Sequence, residues 1–254
     1  AGVPMRRLID TRSVSSVPVY ASGIHIRAAK TEVERARNAG FSQFKVKVGF
    51  DLQTDIAAVL SLAQQMGPAE RLAADANQAW DLETAKTFAL GTTDAKLMWL
   101  EEPLPAYVPH AQWLALQAEA DVPLAGGENI AGDAGFSDVL SEGYLSVVQP
   151  DVVKWGGVSG CIEVARRALS AGARYCPHYL SGGIGLAASA ELLAAAGGDG
   201  VLEVDVNPNP LREAFETCQS SLTGAGWCCT EQPGLGIETL PVELQRYQTA
   251  VVDL

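Results

Sequence analysis

Short runs rich in Val, Leu, Ile and aromatic residues recur along the chain, and the stretches between them have helical periodicity or helical composition. The runs occupy residues 17–23 (VPVYASG), 44–49 (FKVKVG), 71–77 (RLAADAN), 97–103 (LMWLEEP), 123–129 (PLAGGEN), 145–151 (LSVVQPD), 174–179 (RYCPHY) and 201–206 (VLEVDV). Their length and composition predict strands. Among the intervening segments, Thr31 and Glu34 form a capping-box pattern that predicts a helix start, with Gly40 placed to end that helix. Asp51 or Thr54 opens the next, which runs through IAAVLSLAQQM to Gly67. The Ala-rich LAASAELLAAA at 186–196 predicts a helix by propensity alone.

Strand and helix alternating at this pitch require parallel strands joined by right-handed crossovers, and eight strands suffice to close a barrel. An open doubly wound sheet is the alternative, but no GxGxxG follows an early strand. The expected fold is therefore α/β, a TIM-type (β/α)8 or (β/α)7β barrel. A chain of 254 residues, 48% of them hydrophobic, has the size for such a barrel as one domain.

Charge narrows the partners. Thirty acidic residues against 18 basic give a formal net charge of −12, which repels nucleic acid and anionic membrane surfaces. A small-molecule substrate is expected instead, with a metal or lysines overcoming the acidic surplus if that substrate is an anion. The five cysteines, Cys161, Cys176, Cys218, Cys228 and Cys229, form no CxxC pair, and no apolar run is long enough to span a bilayer. A cytoplasmic protein is expected.

The ionisable residues fall in phase with the strands. Lys45 and Lys47 lie in the second run, Asp75 ends the third, Glu101 the fourth, Glu128 the fifth, Asp151 the sixth, His178 the seventh and Glu203 the eighth, successive positions from Lys47 onward being 23 to 28 residues apart. Each alone has an ordinary reading: Lys-x-Lys as two solvated side chains, Glu-Glu-Pro as a strand leaving for a turn, a single His as a packed one. Together they would converge on the C-terminal mouth of a barrel, where enzymes of this fold place their chemistry. Carboxylates in contexts as apolar as LMWLEEP are costly unless compensated. Asp75, Glu101 and Glu128, from three adjacent strands, offer three hard oxygen donors that suit Mg2+ better than zinc.

The set FKVKVG, DANQAW, WLEEPL, GGEN, QPDVVKWGGVSG, PHYLSGGIGLAAS and LEVD resembles the barrel of the enolase superfamily in its mandelate racemase subgroup, from about Val17 to Leu211, and PGLGIE (233–238) resembles that family's closing segment. The resemblance implies abstraction of a proton alpha to a carboxylate, with Mg2+ held by Asp75, Glu101 (the first of the Glu101-Glu102 pair) and Glu128, and with Asn77 beside it. It implies Lys47 as the base on one face. Lys45 would contact the substrate carboxylate and lower the pKa of Lys47. His178, oriented by Asp151, would be the acid/base on the other face, and Glu203 would donate a hydrogen bond to a substrate carboxylate oxygen if protonated. Lys154 is an alternative catalytic lysine, of the kind muconate-cycloisomerase-like members use.

The same resemblance implies three regions. Residues 1–16 read as a linker from an absent N-terminal capping domain, 17–211 as the catalytic barrel, and 212–254 as a C-terminal segment completing the barrel and packing toward that cap. The expected reaction is that of a lyase, dehydration of an acid sugar to a 2-keto-3-deoxy acid. Racemisation or epimerisation by an isomerase, and ligand binding without turnover by a truncated barrel, are the alternatives. The expected partner is a small carboxylate-bearing substrate, with the full-length protein a homo-oligomer.

Overall fold

The computed structural model describes residues 1–215, 221–223 and 226–250. Eight parallel strands form one curled sheet: β1 (Val19–His25), β2 (Gln43–Lys47), β3 (Arg71–Asp75), β4 (Leu100–Glu101), β5 (Leu124–Gly126), β6 (Val147–Val148), β7 (Arg174–Tyr175) and β8 (Leu202–Asp205). Each strand pairs with its neighbour in sequence, and β8 returns to pair with β1. At the remaining seam, between β7 and β8, the backbones come close at Gly200, where a β-carbon would lie 1.9 Å from the Tyr175 carbonyl oxygen. This is the TIM-type architecture that the alternation of strand and helix predicts.

Alternation along β2 shows how the strands are lined. Phe44 and Val46 join the outer core beneath the helices, whereas Lys45 and Lys47 reach inward to carboxylates of other strands. Below the lysines the lumen is filled by a separate cluster with one residue from or beside nearly every strand, including Tyr20, Ala73, Trp99, Val147 and Cys176. The Tyr20 and Trp99 rings meet edge to face at 5.3 Å, a preferred aromatic geometry. The barrel is thus packed through its middle and open to solvent only at its ends.

Helices α1 (Ala29–Asn38), α2 (Leu52–Ala63), α3 (Leu82–Gly91), α4 (His110–Glu119), α5 (Gly132–Glu142), α6 (Gly157–Ser170) and α7 (Gly183–Ala196) connect the strands. Asp51, not Thr54, caps α2: its carboxylate accepts the Thr54 N–H at 2.9 Å. The capping box expected at Thr31 does not form. The chain leaves β1 directly into a 3-10 turn, Ile26–Ala28, which is capped by the His25 imidazole, so the N-cap of α1 is Ala28, three residues before Thr31, and Thr31 falls inside the first turn. Gly40 ends that segment as expected, at φ +97° with its N–H on the Arg37 carbonyl.

Helix α7 is buried on almost every side. A short helix, Met5–Ile9, covers its outer face, and the fully buried Arg6 donates to Glu191 through both its backbone N–H (2.8 Å) and its guanidinium (3.0 Å). Within residues 1–16, read from sequence as a linker, most positions are exposed, but Pro4 and Arg6 are buried and the Val14 N–H donates to the Ala194 carbonyl at 3.2 Å. Ser16–Val17 also pairs antiparallel with Gly226–Cys228, which pairs in turn with Ser221–Thr223. Cys161, Cys176, Cys228 and Cys229 are free thiols, and Cys218 lies outside the described residues. Among the described residues no helix is long and apolar enough to cross a membrane.

Candidate active site

The strand ends deliver the ionisable residues to one place. Asp75 and Glu101 are register partners at the ends of β3 and β4. Glu128, Asp151 and His178 stand two or three residues beyond β5, β6 and β7, on the connections that follow, and Glu203 lies within β8. A cleft of about 410 Å³ at this mouth is lined by Lys47, Asn77, Glu128, Asp151, Lys154 and His178, among others. The sequence-derived site residues thus form one connected network, and six of the ten line the cleft.

Lys45 is the centre of the buried half. Only 1% exposed, its Nζ sits 2.5 Å from Glu101 Oε1, 2.7 Å from Glu203 Oε1 and 3.6 Å from Asp75 Oδ2. Burial works against its charge, but Glu101 and Glu203 outweigh that and hold the ammonium well above the usual lysine range. Lys47, one turn of the pleat nearer the mouth, donates to Asp75 Oδ2 (2.6 Å) and Asn77 Oδ1 (2.7 Å). In this geometry Lys45 is enclosed by carboxylates beneath the cleft.

Glu203 belongs to the same buried network. Burial favours its neutral form, yet Lys45, His178 and a 2.6 Å hydrogen bond from Ser22 hold its carboxyl below the usual carboxylate range, and its second oxygen accepts the Tyr179 N–H. Three donors, from Lys45, Ser22 and the Tyr179 N–H, meet its two oxygens, an arrangement that suits the carboxylate form. Glu101 shows the opposite balance. Burial pushes its carboxyl up to about 7 despite Lys45, and its Oε2 accepts from Gln149 Nε2 (2.7 Å) and Trp99 Nε1 (3.1 Å).

His178 and Asp151 form the expected pair, with 2.8 Å between Nδ1 and Oδ2. The other Asp151 oxygen accepts the N–H groups of Val153 and Lys154, which fixes the carboxylate and therefore the ring. Nε2 of His178 points to Glu128 Oε2 at 3.1 Å. Burial disfavours the imidazolium, but Glu203, Asp151 and Glu128 together raise the pKa of His178 above its ordinary value. Lys154 shares that Glu128 oxygen, at 2.5 Å, from a more exposed position.

Among the described residues no three His, Cys, Asp or Glu side chains stand close enough to grip a metal ion, because lysine ammoniums stand among the three carboxylates, Lys45 and Lys47 at Asp75, Lys45 at Glu101 and Lys154 at Glu128. The donor set nevertheless fits a hard divalent cation. All three carboxylates offer oxygen donors at or just beyond the ends of adjacent strands. Asn77 links Asp75 to Glu128, its N–H on Asp75 Oδ1 (2.8 Å) and its amide facing Glu128 Oε1 (3.4 Å). The raised pKa of Glu101 marks a carboxylate whose burial is incompletely offset by positive charge.

Several participants carry no signal in the sequence reading. Ser22, Gln149 and Trp99 are neutral, and they reveal themselves only by holding Glu203 and Glu101. Glu102 reads as an exit residue, yet it is buried, at φ +39°, and accepts from Asn129 Nδ2 (2.7 Å), while burial and then Glu128 push its carboxyl up to about 7. Asn77, Gln78 and Glu102 all adopt left-handed backbone here, a concentration of strain that occurs at functional sites. The Gln149-Pro150-Asp151 triplet held the one usable hint, a polar residue two before Asp151 and so on the same side of the strand.

The fold and this arrangement of carboxylates, lysines and a His-Asp pair define an enolase-type barrel. The chain belongs to the family of enolase C-terminal domain-like proteins, which matches residues 28–241. D-galactarolactone cycloisomerase of Agrobacterium fabrum is 29% identical over 254 residues, covering 93% of this chain and 66% of that protein. A solved mandelate racemase/muconate lactonizing enzyme of Bordetella bronchiseptica superposes with a TM-score of 0.90 at 46% identity, over 94% of this chain and 66% of that one. L-talarate dehydratase of Polaromonas, solved with Mg and L-glucarate, superposes with a TM-score of 0.85 at 26% identity, over 98% of this chain and 68% of that one. The chain spans less than two thirds of the length of the curated relatives it matches.

Proposed function

We propose that this chain is the catalytic barrel of a Mg2+-dependent lyase that dehydrates an acid sugar to a 2-keto-3-deoxy acid. The observation that carries the reading is that Lys47, on β2, and His178, beyond β7, line one cleft with Glu128 between the metal-binding carboxylates and the imidazole. Held by Asp75, Glu101 and Glu128, Mg2+ would stabilise the negative charge that develops on the substrate carboxylate. Lys47, in its neutral form, takes the proton from the alpha carbon. His178 gives its proton to the leaving 3-hydroxyl, water departs, and the resulting enol becomes the ketone. Asp151 keeps the ring oriented for that transfer. The raised pKa of His178 supports its acting as the acid near neutral pH.

The dehydratase among the similar structures supports this reaction. The cycloisomerase and racemase names among the relatives keep isomerisation as the second reading, since two acid/base groups on well-separated strands also serve proton removal and return. Phe50, Val153, Ile184 and Leu211 are exposed apolar side chains on the segments that follow β2, β6, β7 and β8. They support a covering domain over the mouth in the working enzyme. The free thiols support a cytoplasmic setting.

The test is incubation with Mg2+ and a panel of acid sugars in D2O, following deuterium at the alpha carbon and the keto acid product. The unaltered protein should do both. Lys47→Met should lose both by about 10²–10⁴-fold, whereas His178→Asn should lose product formation by a similar factor and keep exchange. Accumulation of the epimeric acid without keto product would establish the isomerase instead.

A further inference from the structure

Strand β1 carries one more residue than its partner requires. Ala21 pairs with Phe44 and Ile24 with Val46, so Ser22 and Gly23 both stand opposite Lys45. Such a bulge re-aims the side chains beyond it. Uninterrupted alternation would send Ser22 and Ile24 inward and His25 outward. With the extra residue, Ser22 reaches Glu203 inside the barrel, Ile24 joins Val46 in the outer core, and His25 falls in register with Lys47 on the inner face. The bulge is clamped from β8. Gly23 has φ +78°, a β-carbon there would lie 2.4 Å from side-chain atoms of Asp205 and Asn207, and Asn207 Nδ2 donates to the Gly23 carbonyl at 2.9 Å.

The His25 ring that results is fixed in two ways. Its Nδ1 accepts the Arg27 N–H at 3.1 Å, which leaves the ring proton on Nε2 as a donor. Its face stacks on Phe50 at 4.0 Å and 20°. Phe50 is 49% exposed but stands on a locked loop, because the buried Asp55 accepts the N–H groups of Gly49, Phe50 and Asp51 through Oδ2 at 2.8, 2.8 and 3.3 Å. The Arg27 guanidinium lies over the same ring at 5.6 Å. Asp51 is near enough to feel its charge, but among the described residues no ion pair holds Arg27. A donor N–H and an unpaired cation therefore share one aromatic platform, one strand spacing of about 4.8 Å from the strand of Lys47.

We propose that His25 and Arg27 bind the end of the substrate remote from the reacting carbon, and that this end is a second carboxylate, so that the site selects diacid sugars over mono-acids. The proposal rests on the acid-sugar reading above and adds the substrate class. A guanidinium and a neighbouring N–H suit a carboxylate better than a neutral hydroxymethyl group. An aromatic face beside the cation can pack against the C–H groups of the hydroxylated chain between the two ends.

Titration calorimetry in Mg2+-containing buffer, with galactarate and galactonate as the diacid and mono-acid probes, tests it. The unaltered protein should bind galactarate about tenfold or more tightly than galactonate. Arg27→Gln, at an exposed position, and His25→Asn, which keeps an acceptor for the Arg27 N–H, should each weaken galactarate about tenfold more than galactonate. A merely structural role would weaken both acids alike. A ratio near one in the unaltered protein, a ratio unmoved by both substitutions, or binding of neither acid overturns the proposal. Preferential galactarate binding without keto acid formation would instead sink the dehydration reading and leave the diacid site standing.

Discussion

The cleft at the C-terminal mouth measures about 410 Å³, whereas a cavity at the opposite end, where β3 and β4 begin, measures about 630 Å³. The larger one is lined by Leu60, Met66 and Leu72 with Glu70, Arg71 and Lys96 at its edge. Its charged groups keep contact with water: Arg71 and Lys96 are exposed, Arg71 donates to the carbonyls of Pro68 and Glu70, and the part-buried Glu70 pairs with Arg37 at 2.6 Å. At the mouth, Lys45, Asp75, Glu101 and Glu203 are all buried and come from four strands. Volume therefore does not distinguish a site from a gap between helices. Charge held out of water at a cost, by partners gathered from several strands, does.

If that difference is real, removing one charge should cost far more at the mouth than at the far end. Lys45→Met leaves Glu101 and Glu203 facing each other across a dry lumen. The expected loss is about 3–5 kcal/mol of folding stability at neutral pH. Urea unfolding measures it directly. A loss under about 1 kcal/mol would mean that the mouth carboxylates are already solvated or protonated, and the contrast between the two ends would fail.

A smaller effect should separate orientation from chemistry within the mouth. Asp151→Asn keeps the shape of the His178 contact and removes its charge, so product formation should fall about 10–100-fold while Mg2+ affinity stays the same. The same change removes one of the groups that raise the His178 pKa. The acidic form of His178 should then be lost at a lower pH, and the alkaline limb of the pH–rate profile should move down. Turnover that is unchanged in size and pH dependence would transfer the acid role to Lys154.

The barrel was legible because each strand is a compact apolar run and the ionisable residues recur once per βα unit. The start of α2 and the Gly40 turn were legible for a local reason, since caps act within four residues, whereas α2 ends at Ala63, short of the expected Gly67. The start of α1 was not: His25 caps a 3-10 turn that Thr31 and Glu34 give no sign of. In the site, the pairing of His178 with Asp151 followed from the family resemblance, but the state of Glu203 could not be read from it. It depends on Lys45, Ser22 and the Tyr179 N–H meeting at one carboxylate across 24 to 181 residues of sequence. The bulge at Ser22 and Gly23 was equally hidden, because a one-residue change of register leaves composition and periodicity almost untouched.

The smallest expected effect lies at the far end. Arg37, through its hydrogen bonds, is the largest influence holding the Glu70 carboxyl below its ordinary value of 4.5, with burial opposing and the Gly67 N–H assisting. A folded-state pKa below the unfolded one means that the stabilisation is fully present above pH 4.5 and is lost as pH falls through the folded value. Glu70→Gln should therefore cost about 1 kcal/mol at pH 7, and the gap from the unaltered protein should narrow as pH is lowered below 4.5. Paired urea unfolding curves at pH 7 and near pH 4 give both numbers. A cost of several kcal/mol, or a gap that widens in acid, would put this pair in the same class as Lys45 and its carboxylates, and burial of charge would no longer tell the working end of the barrel from the other.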